Sequence, residues 1–244
     1  MKLTKEQFIS KTNEMAGNTG VQLNEKQLKQ LYLYKEMLIE WNEKINLTAI
    51  TDDEEIISKH IVDSLETVKY IKEGQRVIDV GTGAGLPGII IAIYFEGKVD
   101  LTLFDALNKR IVFLQQVIEK LDLTNVIAVH GRAEEVLKQE KFRETFDVVV
   151  SRAVARLNIL MEITVPFVKV DGICLYLKAD KTEAELSEAR KAIEELEVKH
   201  ETTKEYNIPT PEEQLKHTII IFKKKEKTKS KYPRQFSKIK RNPL

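Results

Sequence analysis

Apolar and polar positions follow two different periods along this chain, and the change falls near Gly74. Before it, apolar residues recur every three or four positions, the spacing of helices laid against a core. Thr4 followed by Gln7 has the form of a capping box, in which two side chains satisfy free amides of a first helical turn. A second helix is predicted from near Asn24, with Leu28, Leu31, Leu38, Trp41 and Ile45 along one face. Thr51 and Glu54 repeat the capping-box spacing ahead of an amphipathic run, Ile56, Ile57, His60, Ile61, Ser64 and Leu65. Between these two helices, the polar groups of Asn42 to Thr48 either face a ligand or simply cap and turn the chain.

Beyond Gly74, short runs of Val, Ile and Leu alternate with helical patterns. Strands are predicted at Arg76–Val80, Val99–Phe104, Asn125–Val129, Phe146–Val150, Gly172–Leu177, Lys199–Tyr206 and Thr218–Phe222. Helices are predicted at Gly88–Phe95, Lys109–Leu121, Glu134–Glu140, Leu157–Val168 and Lys181–Leu196. Five short apolar strands separated by helices indicate a doubly wound α/β domain, a parallel sheet covered on both faces. The segment from Asn207 to Gln214 holds Pro209 and Pro211 and is too short for a parallel crossover, so the final strand is expected to be antiparallel. No internal repeat is visible.

The chain's 244 residues, 42% of them hydrophobic, suit one sizeable domain with an appendage. A single cysteine, Cys174, excludes an internal disulfide and points to a reducing compartment. The longest apolar run, Ile89–Phe95, is too short to cross a bilayer, and Lys2, Lys5 and Glu6 interrupt any apolar export signal. A soluble cytoplasmic protein is expected. The formal net charge of +1 hides an asymmetry, because residues 223–244 contain ten Lys or Arg and one acid, Glu226. The body is therefore acidic and the tail strongly basic. Three parts are expected: a helical cap over 1–72, an α/β domain over 73–224, and a basic tail over 225–244. Such a tail is either a solvated extension or a contact for a polyanion. The interleaved Tyr232, Pro233, Arg234 and Phe236 favour nucleic acid.

The strand Arg76–Val80 runs into Gly81-Thr82-Gly83-Ala84-Gly85-Leu86-Pro87-Gly88, with Asp79 just before it. Glycines let a backbone turn sharply and approach a bound molecule. The dinucleotide fingerprint lacks its third glycine, since Leu86 stands there. Asp105 ends the second strand, where a carboxylate accepts the hydroxyls of a ribose. Ala133 and Glu134 follow the third strand, and Ser151-Arg152-Ala153 ends the fourth. Either residue of the Asp105 and Glu134 pair could instead be a helix cap. Four such strand ends around one glycine loop point to a nucleoside cofactor, and seven strands without the third glycine favour S-adenosylmethionine over a nicotinamide.

In order along the chain stand Asn42 to Thr48, His60-Ile61-Val62-Asp63-Ser64-Leu65, Asp79 to Gly88, Asp105-Ala106-Leu107-Asn108-Lys109-Arg110, and Ser151-Arg152-Ala153-Val154-Ala155. Together they resemble the bacterial small-subunit (16S) ribosomal RNA methyltransferase G family, also called glucose-inhibited division protein B, over nearly the whole length. The resemblance implies a seven-stranded Rossmann-like methyltransferase sheet. It implies methyl transfer from S-adenosylmethionine to N7 of a guanine near the decoding centre. By matched position, Gly81, Gly83, Gly85 and Leu86 would lie against the cofactor, Asp105 on its ribose, and Ala133 and Glu134 on the adenine side. Arg152 would face the reactive end, holding cofactor, guanine or phosphate. Arg234, Lys238, Lys240 and Arg241 would meet RNA, whether in a free strand, an assembly intermediate or a subunit, with the protein expected as a monomer. Two departures stand out: Ala106 replaces the family's common serine, and the tail lacks its usual Pro-Gly run.

Guanine N7 carries no proton, so such a transfer needs alignment rather than a general base, and no acid–base pair is evident. Cytosine C5 methylation would need a nucleophilic cysteine, whereas Cys174 falls in a predicted buried strand. Amino-group methylation often has an Asn/Asp-Pro-Pro-Tyr loop after the fourth strand, where this chain has Ser-Arg-Ala-Val. His60 is either a ligand-orienting or a packed histidine. His130, His200 and His217 are scattered, so no zinc site is expected. Trp41 and the Leu28, Leu31 and Leu38 stripe are core residues of the cap, and the Glu- and Lys-rich stretch from Lys181 to Leu196 is a solvated helix face. The rival readings are a methyltransferase of proteins or small molecules, and a nucleotide-binding regulator without catalysis.

Overall fold

Three helical elements precede a β/α chain in a computed structural model that describes residues 2–152, 155–178, 182–210 and 214–244. Helix α1, Lys5–Asn18, opens with the Thr4–Gln7 capping box, and α2, Glu25–Ile45, opens with a second box between Asn24 and Gln27. Helix α2 ends on Asn46, which takes the left-handed conformation at φ 49°. The third element departs from expectation at its start. Asp52, not Thr51, caps it, because its charged carboxylate accepts from both the Glu54 and Glu55 amides.

This third element, α3, splices four segments: Asp53–Glu55, a π-helical turn at Ile56–Val62, Asp63–Leu65, and a 3-10 turn at Glu66–Tyr70. It is not the amphipathic surface helix that its periodicity suggests. Every residue from Ile56 to Val68 except Lys59 is buried. Its small polar side chains survive burial by bonding their own backbone: Ser58 donates to Glu54 O, Ser64 to His60 O and Thr67 to Ser64 O.

The strands are β1 Arg76–Val80, β2 Asp100–Asp105, β3 Val126–His130, β4 Phe146–Arg152, β5 Val168–Lys178, β6 Val198–Pro209 and β7 Gln214–Lys224. They form one sheet in the order β3-β2-β1-β4-β5-β7-β6. Strands β1 to β5 are parallel, and β7 lies antiparallel between β5 and β6. The covering helices are α4 Gly88–Phe95, α5 Asn108–Lys120, α6 Ala133–Val136, α7 Leu157–Thr164, α8 Thr182–Glu188 and α9 Arg190–Glu195. A last short helix, α10, spans Phe236–Arg241.

Several boundaries move. The helix expected at Glu134–Glu140 stops at Val136. The one expected to reach Val168 ends at Thr164, followed by a 3-10 turn at Val165–Phe167 containing Pro166, which cannot continue an α-helix. Val168 already opens β5, whose register with β4 slips between Phe146 and Val148. The single helix expected from Lys181, which lies outside the described residues, is two short ones meeting at Ala189. Much of the expected 207–214 linker is strand, paired Asn207 to Lys216 and Ile208 to Leu215.

Side chains alternate across a strand, and here the alternation sorts them into two cores. Val77, Leu101, Leu103, Val148, Val150, Leu175 and Ile219 pack with α1 to α5 on one face. Ile78, Phe104, Val149, Cys174, Tyr176, Ile220 and Phe222 pack on the other with α6, α7, α9 and part of the tail. Segment 1–72 thus shares one core with the sheet beneath it. Among the described residues, no helix is long and apolar enough to cross a membrane.

The tail is folded down rather than extended. Tyr232, Ile239 and Leu244 are buried, and the Arg143 guanidinium donates to the carbonyls of Thr228, Lys229 and Tyr232. Lys224 is fully buried against Glu144. Arg234 meets the buried Glu162 carboxylate through both Nε and Nη2, at 2.8 and 2.6 Å.

Candidate functional site

Strand β1 carries Asp79 to the carboxyl end of the sheet, where its Oδ2 accepts from the Thr82 hydroxyl at 2.7 Å and the Gly88 amide at 2.9 Å. The glycine loop is thereby pinned at both ends. Burial pushes the Asp79 carboxyl up to about 6, against the lowering effect of those two bonds. Its Oδ1 is buried without a partner among the described residues. The loop's glycines divide their work. A Cβ on Gly85 would strike Ile89 Cγ1 at 2.4 Å and Leu114 Cδ2 at 2.8 Å, so this glycine admits α4 and α5. A Cβ on Gly83, at φ +60°, would meet only Gly81 O at 3.9 Å, so this glycine bares its backbone to open space.

That space is a cavity of about 460 Å³ beyond the ends of β1, β2 and β4. One wall is the loop itself, with Gly81, Gly83 and Leu86. The second is the end of β2: Asp105 Oδ2 accepts from the Gly83 amide at 2.9 Å and from Arg110 Nη1 at 3.1 Å, while Oδ1 accepts from the Leu107 amide. Ala106 and the half-exposed Leu107 also line it. The third wall is helical, with Leu47, Thr48 and His60. Helix α2 braces the loop from behind, where the buried Tyr34 hydroxyl donates to Ala84 O at 2.9 Å.

Arg152, at the end of β4, closes the cavity's far side. Its Nη1 donates to Lys59 O at 2.8 Å and to Asp63 Oδ2 at 3.0 Å, so both groups fixing it belong to α3. Asp63 is 1% exposed, and its other oxygen accepts from the Tyr206 hydroxyl at 2.6 Å and stands 2.9 Å from His217 Nδ1. Burial opposes the charge on Asp63, yet the His217 hydrogen bond and the Arg152 charge hold its carboxyl below the usual range. His60 responds oppositely. Burial, then the Arg152 charge, lower its imidazole to about 4, leaving it neutral. With Arg152 Nη2 approaching Nδ1 at 3.5 Å, the proton belongs on Nε2, which lies 2.9 Å from the Thr48 hydroxyl.

The sequence-derived residues do not all converge. Gly81, Gly83, Leu86, Asp105 and Arg152 line the cavity. Gly85 packs helices instead. Ala133 and Glu134 lie off its lining, and a Glu134 oxygen accepts from the Phe236 amide of the tail at 3.2 Å. Of Asn42 to Thr48, Asn42 caps the amides of Leu47 and Thr48, while Leu47 and Thr48 face the cavity. Ala153 and Val154 lie outside the described residues. Arg110, Asp63, Tyr206 and His217 carried no site role in the sequence. Arg110 stands in the first turn of the helix that follows Asp105 and was within reach of a local argument, whereas Tyr206 and His217 meet Asp63 only through the β6–β7 hairpin. Cys174 is buried and its thiol pushed up to about 11 by that burial. Among the described residues, no three His, Cys, Asp or Glu side chains stand where a metal ion could sit.

Solved structures with this architecture include YcgJ from Bacillus subtilis, with a TM-score of 0.51, 15% identity, and 68% of this chain and 100% of that one covered. A putative transferase, PH0793 from Pyrococcus horikoshii, gives a TM-score of 0.55 at 16% identity over 67% and 63% of the two chains. Identities this low speak for the fold alone. The family model described as rRNA small subunit methyltransferase G (GidB) matches residues 27–215. Proteins named ribosomal RNA small subunit methyltransferase G are similar along almost the whole chain. That of Thermoanaerobacter sp. (strain X514) is 45% identical over 95% of this chain and 96% of its own. That of Clostridium botulinum (strain Eklund 17B / Type B) is 44% identical over 94% and 95%. The chain belongs to the rRNA small subunit methyltransferase G family.

The methyl donor of this family is S-adenosylmethionine, and the cavity suits it. Its volume lies in the ordinary range for small-molecule sites. The exposed Gly83 backbone admits a close approach, and Asp105 offers a ribose an anionic acceptor beside the loop. Arg110 now bonds Asp105 on the cavity side, so a ribose hydroxyl would share that carboxylate with a guanidinium.

Proposed function

We propose that this protein transfers the methyl group of S-adenosylmethionine to N7 of a guanine near the decoding centre of small-subunit ribosomal RNA, in the cytoplasm. The observation that carries the proposal is the cavity itself. It joins an anionic ribose acceptor at one end to a neutral histidine and a charge-paired arginine at the other, with no further carboxylate or imidazole among the described residues lining it. When bound, S-adenosylmethionine supplies a methyl group on a positively charged sulfur. Guanine N7 attacks with a lone pair and loses no proton, so the protein needs to align the two and exclude water. Gly83 and Asp105 hold the donor, Leu86 and Leu107 supply apolar walls, and Arg152 orients the acceptor through a group other than N7.

The tail supplies the second contact of this reading. Among the described residues, Lys227, Lys238, Lys240 and Arg241 make no ion pair, and all four are exposed. They meet RNA phosphates, while Arg234, engaged by Glu162, seats the tail. Segment 1–72 acts as the cap, 73–224 as the catalytic domain and 225–244 as the RNA-contacting part, in a protein acting as a monomer. The test is methyl transfer from labelled S-adenosylmethionine to small-subunit particles lacking the modification, followed by mapping of the labelled base. Label at one guanine N7 is expected. Cofactor binding with no label in RNA would sink the proposal.

A further inference from the structure

Arg152 closes the side of the cavity that the reading above gives to the acceptor, and its charge poses a problem for that reaction. Methyl transfer moves positive charge onto the acceptor base, and a bare guanidinium beside that base would oppose it. The structure sets a carboxylate against this guanidinium. Asp63 Oδ2 takes the Arg152 Nη1 donor at 3.0 Å, and the pair is nearly sealed from solvent, with side-chain exposures of 15% and 2%. Burial of the pair keeps the carboxylate's field on the guanidinium instead of losing it to water.

Geometry and charge are set together. Both Nη1 bonds of Arg152 run to α3, to Lys59 O and Asp63, so the fork is oriented from outside its own strand. Asp63 is itself fixed by two groups from the β6–β7 hairpin, Tyr206 and His217. Nε of Arg152 makes no hydrogen bond to the described residues, and the residue lines the cavity. A guanidinium has five donors, so an edge is left over for a base oxygen or a phosphate.

We infer that Asp63 is a positioning residue for methyl transfer: it orients Arg152 toward the acceptor purine and offsets its charge as the base becomes cationic. This rests on the reading of an N7-guanine acceptor, and it concerns how that acceptor is received. Asp63 touches neither cofactor nor base and acts only through Arg152. A merely structural Asp63 would tie α3 to the sheet, and its loss would lower stability while leaving kcat of the folded enzyme unchanged.

A mutant cycle decides the matter, measured as kcat, KM for particles lacking the modification, and Kd for S-adenosylmethionine. Asp63→Asn is expected to lower kcat by about 30- to 100-fold while Kd for the cofactor stays within about threefold. Arg152→Gln is expected to lower kcat comparably, and Asp63→Asn/Arg152→Gln to be no slower than Arg152→Gln alone. The double variant leaves neither partner buried and unpaired, so it serves even where Asp63→Asn fails to fold. Asp63→Glu, which keeps the charge, is expected to recover at least about tenfold of the loss of Asp63→Asn. A double variant more than about tenfold slower than Arg152→Gln, or an Arg152→Gln enzyme with wild-type kcat, would overturn the inference. The wild-type arm separates the two claims: label at N7 with independent mutant effects removes only the role of Asp63, and no label in RNA removes both.

Discussion

His60 shows how one side chain's surroundings set its chemistry. A neutral imidazole between Arg152 and Thr48 can accept from one and donate to the other, and protonation would cost it the first of these. Its pKa is lowered to about 4 in the folded protein, below the ordinary value of 6.5, so the unfolded chain binds the extra proton first. The stability it contributes is complete above about pH 6.5 and is lost as pH falls through 4. Asp79 works in the opposite sense. Its pKa is raised from 3.8 to about 6, so its contribution is complete below the lower value and is lost as pH rises through the upper one. Total stability therefore blurs the two, and a difference measurement is needed. The unfolding free energy of wild type minus that of His60→Gln, from denaturant melts at pH 7, 5.5 and 4, is expected to narrow by roughly 2 to 3 kcal/mol toward the acid end. A pH-independent difference would mean that His60 is not held neutral by burial.

The glycine loop joins two demands within one turn, and two substitutions separate them. Gly85→Ala would drive a methyl group into Ile89 and Leu114, and its cost appears as lost stability, about 1 to 3 kcal/mol in a chemical melt. Gly83→Ala adds its methyl group to the cavity at a positive φ; it is expected to cost about 1 kcal/mol in stability but to weaken S-adenosylmethionine binding at least about tenfold by calorimetry. Equal binding by Gly83→Ala and wild type would remove the loop from the cofactor site. This loop, its strand and its helix were legible in the sequence because each is local: a Val-rich run, glycines, then apolar residues on all sides. Strands β1, β2 and β4 were legible for the same reason, being buried on both faces, whereas β3, at the sheet edge with Ile127 exposed, was legible from its apolar run alone. Helix ends between 134 and 168 were missed: Pro166 was a local signal against a helix running to Val168, whereas the β4–β5 register slip depends on how β5 meets β4. Helix α3 misled because Ser58, Asp63 and Thr67 look solvent-facing until their backbone and cross-sheet partners are known. Of the cavity, the strand-end residues Asp105 and Arg152 were visible. The Asp63 cluster was not, because no periodicity links a helix to a hairpin that follows far along the chain.

At the scale of the molecule, charge is arranged as an acidic body with a basic end, and folding trims that end. Lys224, Arg234, Lys229 and Lys231 are taken up by Glu144, Glu162 and Glu195, which fasten the tail beside α7 and α9. What remains is a compact cationic face carried largely by α10, with Phe236 partly exposed beside it. Binding to small-subunit RNA is expected to weaken linearly in log Kd with log salt, and Lys238→Ala/Lys240→Ala/Arg241→Ala to reduce that slope by about 2 to 3. An unchanged slope would move the RNA contact elsewhere. The cross-sheet anchoring of Asp63 has a further consequence, for the order of events during translation. The ribosome makes α3 long before its partners: Tyr206 follows Asp63 by 143 residues and His217 by 154. At ordinary rates of synthesis the nascent helix waits roughly 10 to 30 s for the groups that accompany its carboxylate into the interior. Throughout that interval the apolar N-terminal helices have no finished sheet to cover, so this enzyme completes the core those helices share only when its last strand leaves the exit tunnel.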